Sequence, residues 1–119
     1  MKLQLVTGPE GLAPLSGEFM RPSVALPEVD WTREAVLVLD MGEQRTGGYR
    51  IAVTGVARTP AGEVEVSLEV QKPAPGSFVA QVITHPYAVA RVPREWLTGA
   101  PIVGRDQHGH ELIRQVVSL

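Results

Sequence analysis

Alternating apolar and polar positions dominate the middle of the chain. Residues 63–70, "EVEVSLEV", place apolar side chains at every second position. A strand turns successive side chains to opposite faces, whereas a helix would scatter these side chains around its circumference. Residues 49–57, "YRIAVTGVA", alternate in the same way, and residues 35–40, "AVLVLD", form the continuous apolar run of a strand buried on both faces. The inward positions of residues 63–70 are Val64, Val66, Leu68 and Val70.

Turn signals connect the strands into hairpins. Thr59-Pro60-Ala61-Gly62 has proline at the second position and glycine at the fourth, as type I turns prefer, and predicts a hairpin between residues 49–57 and 63–70. Asp106-Gln107-His108-Gly109 fits the same template and predicts a last hairpin. Weaker patterns predict strands at residues 2–6, 77–84 and 87–92, and short helical turns at residues 10–15 and at residues 94–99, the latter closed by Gly99.

These elements predict an all-β protein. No stretch has a helical period of useful length, and about seven short strands follow one another closely. The expected fold is a small antiparallel β-sandwich or a partly open barrel, with at most one or two short helical turns. A length of 119 residues fits one domain, residues 1–119, with one sizeable core.

Composition removes several classes of function. The net charge is −2 and the arginines form no cluster, so we expect no nucleic-acid partner. The absence of cysteine excludes disulfides, thiolate metal sites and a cysteine nucleophile. Nine arginines against two lysines, and no asparagine, fit a bacterium that is GC-rich or thermophilic.

The apolar stretches are too short for a signal peptide or a membrane span. Thr7-Gly8-Pro9 interrupts the first of them. We therefore expect the chain as printed to be soluble and cytoplasmic, and extracytoplasmic if a leader has been removed.

A glycine pair, Gly47-Gly48, stands before the strand at residues 49–57. A phosphate-binding loop would follow a strand and open a helix, so this context argues against a nucleotide site. Glycine also permits a positive φ or a close approach of the backbone, which predicts a sharp turn here. Tyr49 shares a face with Ile51 and Val53, which predicts its ring in the core and its hydroxyl near the rim.

Two short motifs resemble the PrcB C-terminal domain family of protease complex subunits. The first is Gly42 followed by Thr46-Gly47-Gly48-Tyr49, and the second is Thr84-His85-Pro86-Tyr87 followed by "AVARVPR". "PEVDW" before the first central strand is also similar, so the resemblance covers residues 28–94. It implies a small, mostly β domain without known enzymatic activity. The family takes its name from a subunit associated with a surface subtilisin-like protease complex.

Catalytic and metal-binding patterns are weak. His108 and His110 form an H-x-H pair, but zinc needs a third ligand and normally a fourth, so they are only weak metal candidates. No serine lies in a G-x-S-x-G elbow, and the glutamates of residues 63–70 fit a solvated face. We expect no catalytic residue and no cofactor.

The remaining hypothesis is a protein-interaction or complex-stabilising module. Its loops are residues 41–48 and the proline-rich loop at residues 71–78, which we expect to be stiff and extended. The partner would be another protein, a protease among the candidates, and a homodimer through edge strands stays open. The alternatives are a small-molecule or metal-binding module, and a protease inhibitor using residues 71–78. Residues expected to form the motif or contact a partner are Gly42, Thr46, Gly47, Gly48, Tyr49, Arg50, Phe78, Pro86 and Tyr87.

Overall fold

The computed structural model describes residues 1–11, 28–79 and 81–118, and it confirms the all-β class. Within these ranges seven strands form two sheets, and the helical elements are two 3-10 turns at residues 9–11 and Arg94–Trp96. None of the helices described is long and apolar enough to cross a membrane. The strands are β1 (Lys2–Val6), β2 (Glu34–Asp40), β3 (Arg50–Arg58), β4 (Val64–Gln71), β5 (Tyr87–Pro93), β6 (Thr98–Arg105) and β7 (Glu111–Ser118).

The two sheets have the strand orders β1-β2-β5 and β3-β4-β6-β7. Both predicted hairpins are present, β3–β4 and β6–β7. The predicted antiparallel arrangement is wrong for one pair, since β4 and β6 run parallel. The chain leaves β4, adds β5 to the other sheet and returns to β6, and a crossover of this kind is what permits a parallel pair. The described strands do not close into a barrel.

Strand β2 is buried on both faces, as its continuous apolar run predicts. Ala35, Leu37 and Leu39 contribute to the main core between the sheets. Val36 and Val38 contribute to a second cluster on the other face of the first sheet. Members of this second cluster also include Val6, Tyr87 and Val89, with Val29 and Trp31 packed against it.

The β3–β4 hairpin closes through the predicted turn and contains a bulge that the sequence pattern did not predict. The Gly62 amide donates to the Thr59 carbonyl oxygen at 2.8 Å, and Gly62 has a φ of +86°. The register shifts between Val53 and Gly55. Because the bulge adds one residue, Val53 and Val56 both pack against the main core although they are three positions apart.

The predicted strand at residues 77–84 is wrong. Within the described part of this segment, only Thr84 pairs, in an isolated bridge with Gln44. Phe78, Val82 and Ile83 are exposed. An apolar stretch forms a strand only where a sheet edge is available to it, and this segment runs outside both sheets.

Both predicted helical turns overlap a 3-10 turn, and the extent of the second one was predicted too long. The turn predicted at residues 94–99 ends at Trp96, and Gly99 lies inside β6. The turn predicted at residues 10–15 corresponds to the 3-10 turn at residues 9–11, and its remaining residues lie outside the described ranges.

Candidate functional site

The two family motifs lie side by side although about forty positions separate them in the sequence. The Gln44 amide donates to the Thr84 carbonyl oxygen at 2.9 Å, and the Thr84 amide donates back to Gln44 at 2.8 Å. The Thr84 hydroxyl donates to the Thr46 carbonyl oxygen at 3.0 Å. The Met41 amide donates to the Pro86 carbonyl oxygen at 3.0 Å. These four hydrogen bonds make residues 41–46 and 84–86 one unit.

Asp40 fixes the first turn of this unit. Its Oδ1 accepts the Gly42 amide at 2.6 Å, and its Oδ2 lies 3.5 Å from His85 Nε2. Gly42 has a φ of +80°, a conformation that glycine adopts without strain. The carboxylate therefore contacts both motifs at the point where β2 ends.

Gly48 confirms the prediction of a turn with a close backbone approach. Its φ is +91°. A Cβ at this position would lie 3.0 Å from Pro73 Cγ and 3.1 Å from Val79 Cγ1, so the loop after β4 packs directly against the turn. Gly47 does not have a positive φ. The special conformation therefore belongs to the second glycine of the pair.

The two tyrosines of the motifs occupy different environments. Tyr87 has no exposed surface and lies in the second cluster, where burial raises the pKa of its hydroxyl. Tyr49 is half-buried and lines a cleft, so the expectation of its ring inside the core is wrong. Pro86 is buried as well. Pro86 and Tyr87, expected as motif or contact residues, therefore have no surface to offer a partner.

Three exposed apolar side chains, Phe78, Val82 and Ile83, follow the loop that packs against the turn. Phe78 is fully exposed, and Val82 and Ile83 each expose more than half of their surface. Val79, the neighbour of Phe78, contacts the Gly48 position. Arg50 is exposed at the start of β3. The sequence predicted Phe78 and Arg50 as contact residues, but it placed Val82 and Ile83 in a strand. An exposed β-branched residue cannot be distinguished in a sequence from one that is paired in a sheet.

The proline-rich loop at residues 71–78 is not extended along its whole length. The Ser77 amide donates to the Ala74 carbonyl oxygen at 3.0 Å, and the Ser77 hydroxyl donates to the same oxygen at 2.6 Å. Gly76 has a φ of +78°. Residues 74–77 thus form a tight turn, which contradicts the extended loop that the inhibitor hypothesis needs.

The strand glutamates form ion pairs on the second sheet. Arg114 lies 3.0 Å from Glu63 and 2.9 Å from Glu111, and Arg105 lies 3.9 Å from Glu65. Glu63 and Glu65 line one open cleft of about 350 Å³, but each of them is paired with an arginine there. This pairing accounts for the two carboxylates as a charged surface of the sheet and does not require an acid–base role.

The weak metal candidates His108 and His110 lie in the last hairpin with their ring centroids 6.0 Å apart. His110 Nδ1 is 3.4 Å from Asp106 Oδ2, while His85 lies beside Asp40 at the family motifs. Across residues 1–11, 28–79 and 81–118, no three histidine or acidic side chains are grouped as metal ligands.

Asp106 gives this hairpin a pH-dependent stability. Partial burial opposes its ionisation, but the amides of His110 and His108, each 2.9 Å from Oδ1, outweigh burial and lower its pKa. A lowered pKa stabilises the fold above the unfolded value of about 3.9, and this contribution is lost as pH falls through the folded value.

We expect Asp106→Asn to flatten the acid side of the stability profile. The amide oxygen of asparagine still accepts a hydrogen bond but does not titrate, so the urea midpoint of the variant should fall less than that of the parent between about pH 5 and about pH 2. The hydroxyl and amide of Thr32 lower the pKa of Asp30 as well. Asp30 titrates in both proteins, so its contribution to the pH dependence is the same in parent and variant. Parallel profiles for parent and variant would contradict the role of Asp106.

The chain is similar to a known protein family over the region that contains the two motifs. The family model "PrcB C-terminal" matches residues 35–93, which include both motifs except the final Arg94. Residues 28–34 of the expected resemblance, and with them the tryptophan of "PEVDW", lie outside the match. The curated proteins and the solved structures give no significant match to this chain.

Proposed function

Because residues 35–93 belong to the PrcB C-terminal family, we propose that this chain is a non-enzymatic module that binds another protein and stabilises the complex. The observation that carries the proposal is the group of exposed apolar side chains Phe78, Val82 and Ile83, held beside the hydrogen-bonded motifs. Exposed apolar side chains that are grouped together commonly mark an interaction surface.

This group has the composition of a binding surface and a rigid base. Phe78 supplies an aromatic side chain and Arg50 a guanidinium, and both residue types are enriched among interface hot spots or interface cores. Pro73 and Val79 pack against Gly48, so the loop is positioned before a partner arrives. A surface that is already ordered loses less conformational entropy on binding.

The family name leads us to propose a protease complex as the partner. A second copy of the chain is the other partner we consider, through β7. This strand lies at the edge of its sheet, and its Leu112 and Val116 are exposed. Unpaired edges with apolar side chains favour pairing between chains.

We expect the double variant Arg50→Ala/Phe78→Ala to lose its partner while remaining folded. Both side chains are exposed, so the thermal midpoint should stay close to that of the parent. Recovery of the partner should fall at least about tenfold, because truncating hot-spot residues costs more than about 1–2 kcal/mol of binding energy. The measurement is a tagged pull-down from lysate and from envelope fractions of the source organism, with quantitative mass spectrometry.

The control is Arg33→Ala/Arg58→Ala, which removes two exposed side chains outside both the proposed surface and the β7 edge. It should recover the partner as the parent does. Equal losses with both double variants, or undiminished recovery with Arg50→Ala/Phe78→Ala, would refute the proposed surface. The fraction that yields the partner identifies the compartment, and recovery of an untagged copy of the chain would identify self-association. If a protease is recovered, its activity with and without this chain separates a subunit from an inhibitor.

A further inference from the structure

The cleft beside Tyr49 lies where the two sheets open at one end. Met41 follows the end of β2, Lys72 follows the end of β4, and Tyr49 precedes β3. Val70 near the end of β4, Leu112 near the start of β7 and Met1 complete its apolar lining, Gln44 adds an amide, and the volume is about 390 Å³. That volume lies within the usual range for binding pockets.

The cleft has an apolar floor and a polar rim. Met41 and Val70 pack against the main core, so an occupant would rest on the core itself. Among the described side chains that line the cleft, Lys72 carries the only charge. Neither the Lys72 ammonium nor the Tyr49 hydroxyl bonds to another side chain in the described ranges. The cleft therefore suits an apolar group next to a negative charge.

The surroundings of the cleft favour an occupant that belongs to a larger molecule. Lys72 and Leu112 are exposed, so a small free ligand would keep much of its surface in water. Lys72 is followed by Pro73, which contacts the Gly48 position together with Val79, the neighbour of Phe78. A protein that covers Phe78 therefore reaches the rim of the cleft.

We propose that this cleft receives an apolar side chain of the partner protein, and that a carboxylate next to that side chain pairs with Lys72. The inference rests on the proposed function, because the cleft adjoins the surface assigned there to the partner. Met41 in the cleft lining suits this role, because the flexible and polarizable side chain of methionine adapts to the shape of an occupant. Tyr49 forms the wall between the cleft and the turn.

The test uses two small probes on the full chain with 13C-labelled methionine methyl groups. N-acetyl-L-leucine carries an apolar side chain and a carboxylate, and N-acetyl-L-leucinamide has the same shape without the charge. The Met41 methyl resonance should shift saturably with both probes, and the charged probe should bind about threefold more tightly, as expected for an exposed ion pair. Lys72→Gln should abolish that preference, whereas Arg33→Gln, which removes an exposed cation outside both the cleft lining and the proposed surface, should preserve it.

A competition experiment between N-acetyl-L-leucine and the partner tests the cleft separately from the proposed function. Saturating N-acetyl-L-leucine should reduce recovery of the partner in the pull-down, which would support the assigned occupant. Saturable binding with unchanged recovery would overturn it, because the cleft would then take a free acid. No saturable shift of Met41 would overturn it as well, even if Arg50→Ala/Phe78→Ala still loses the partner, and in that case the proposed function stands. Equal affinity for both probes would overturn the role of Lys72.

Discussion

Replacing Tyr87 by alanine is expected to lower the free energy of unfolding by about 3–5 kcal/mol, the range found when large aromatic side chains are removed from a core. The ring is fully buried at the start of β5, in the second cluster with Val36, Val38 and Val89. Its removal leaves a cavity between the first sheet and the residues that cover it. Urea unfolding followed by far-ultraviolet circular dichroism measures the change.

Tyr49→Ala is the matched control for Tyr87→Ala. Tyr49 is half-buried beside an open cleft, so the surrounding side chains can rearrange and the loss should be about 1 kcal/mol. Two tyrosines from the two motifs would then differ severalfold in their effect on stability. Equal losses would contradict the assignment of Tyr87 to the core and of Tyr49 to the surface.

The strands were predictable where the pattern is local. Val64, Val66 and Leu68 alternate with polar residues and are buried as expected, and the run from Ala35 to Leu39 is buried on both faces. The parallel β4–β6 pair was not predictable, because it depends on where β5 joins a sheet. The bulge after Val53 was missed because one extra residue leaves no mark on the alternation before it.

The candidate site was predictable in its members but not in their roles. The order of the two motifs indicated a common region, and hydrogen bonds between Gln44 and Thr84 join them. Tyr49 and Tyr87 both begin alternating strands, so the sequence could not separate them. Tyr87 is buried in a cluster against which Val29 and Trp31 pack, whereas Tyr49 lines an open cleft. The cleft draws on several separate segments of the chain, which only the fold brings together.

Gly48→Ala is expected to lower the free energy of unfolding by about 2–5 kcal/mol, through two separate effects. A residue with a Cβ at a φ of +91° is strained by about 1–2 kcal/mol. The added methyl group would also lie 3.0 Å from Pro73 and 3.1 Å from Val79, and overpacking of this kind costs about 1–3 kcal/mol. Thermal and urea unfolding of the variant measure the total.

Gly76→Ala isolates the first effect, because Gly76 has a φ of +78° in the same loop and a Cβ there meets nothing within 4 Å. Its loss should be only about 1–2 kcal/mol. The difference between the two variants then measures the contact between the turn and the loop that carries Phe78. If Gly48→Ala displaces that loop, partner recovery falls even at temperatures where the variant is folded, while Gly76→Ala retains more of it. Equal stabilities would show that the contact with Pro73 and Val79 yields easily, and would remove the rigid base on which the proposed binding surface rests.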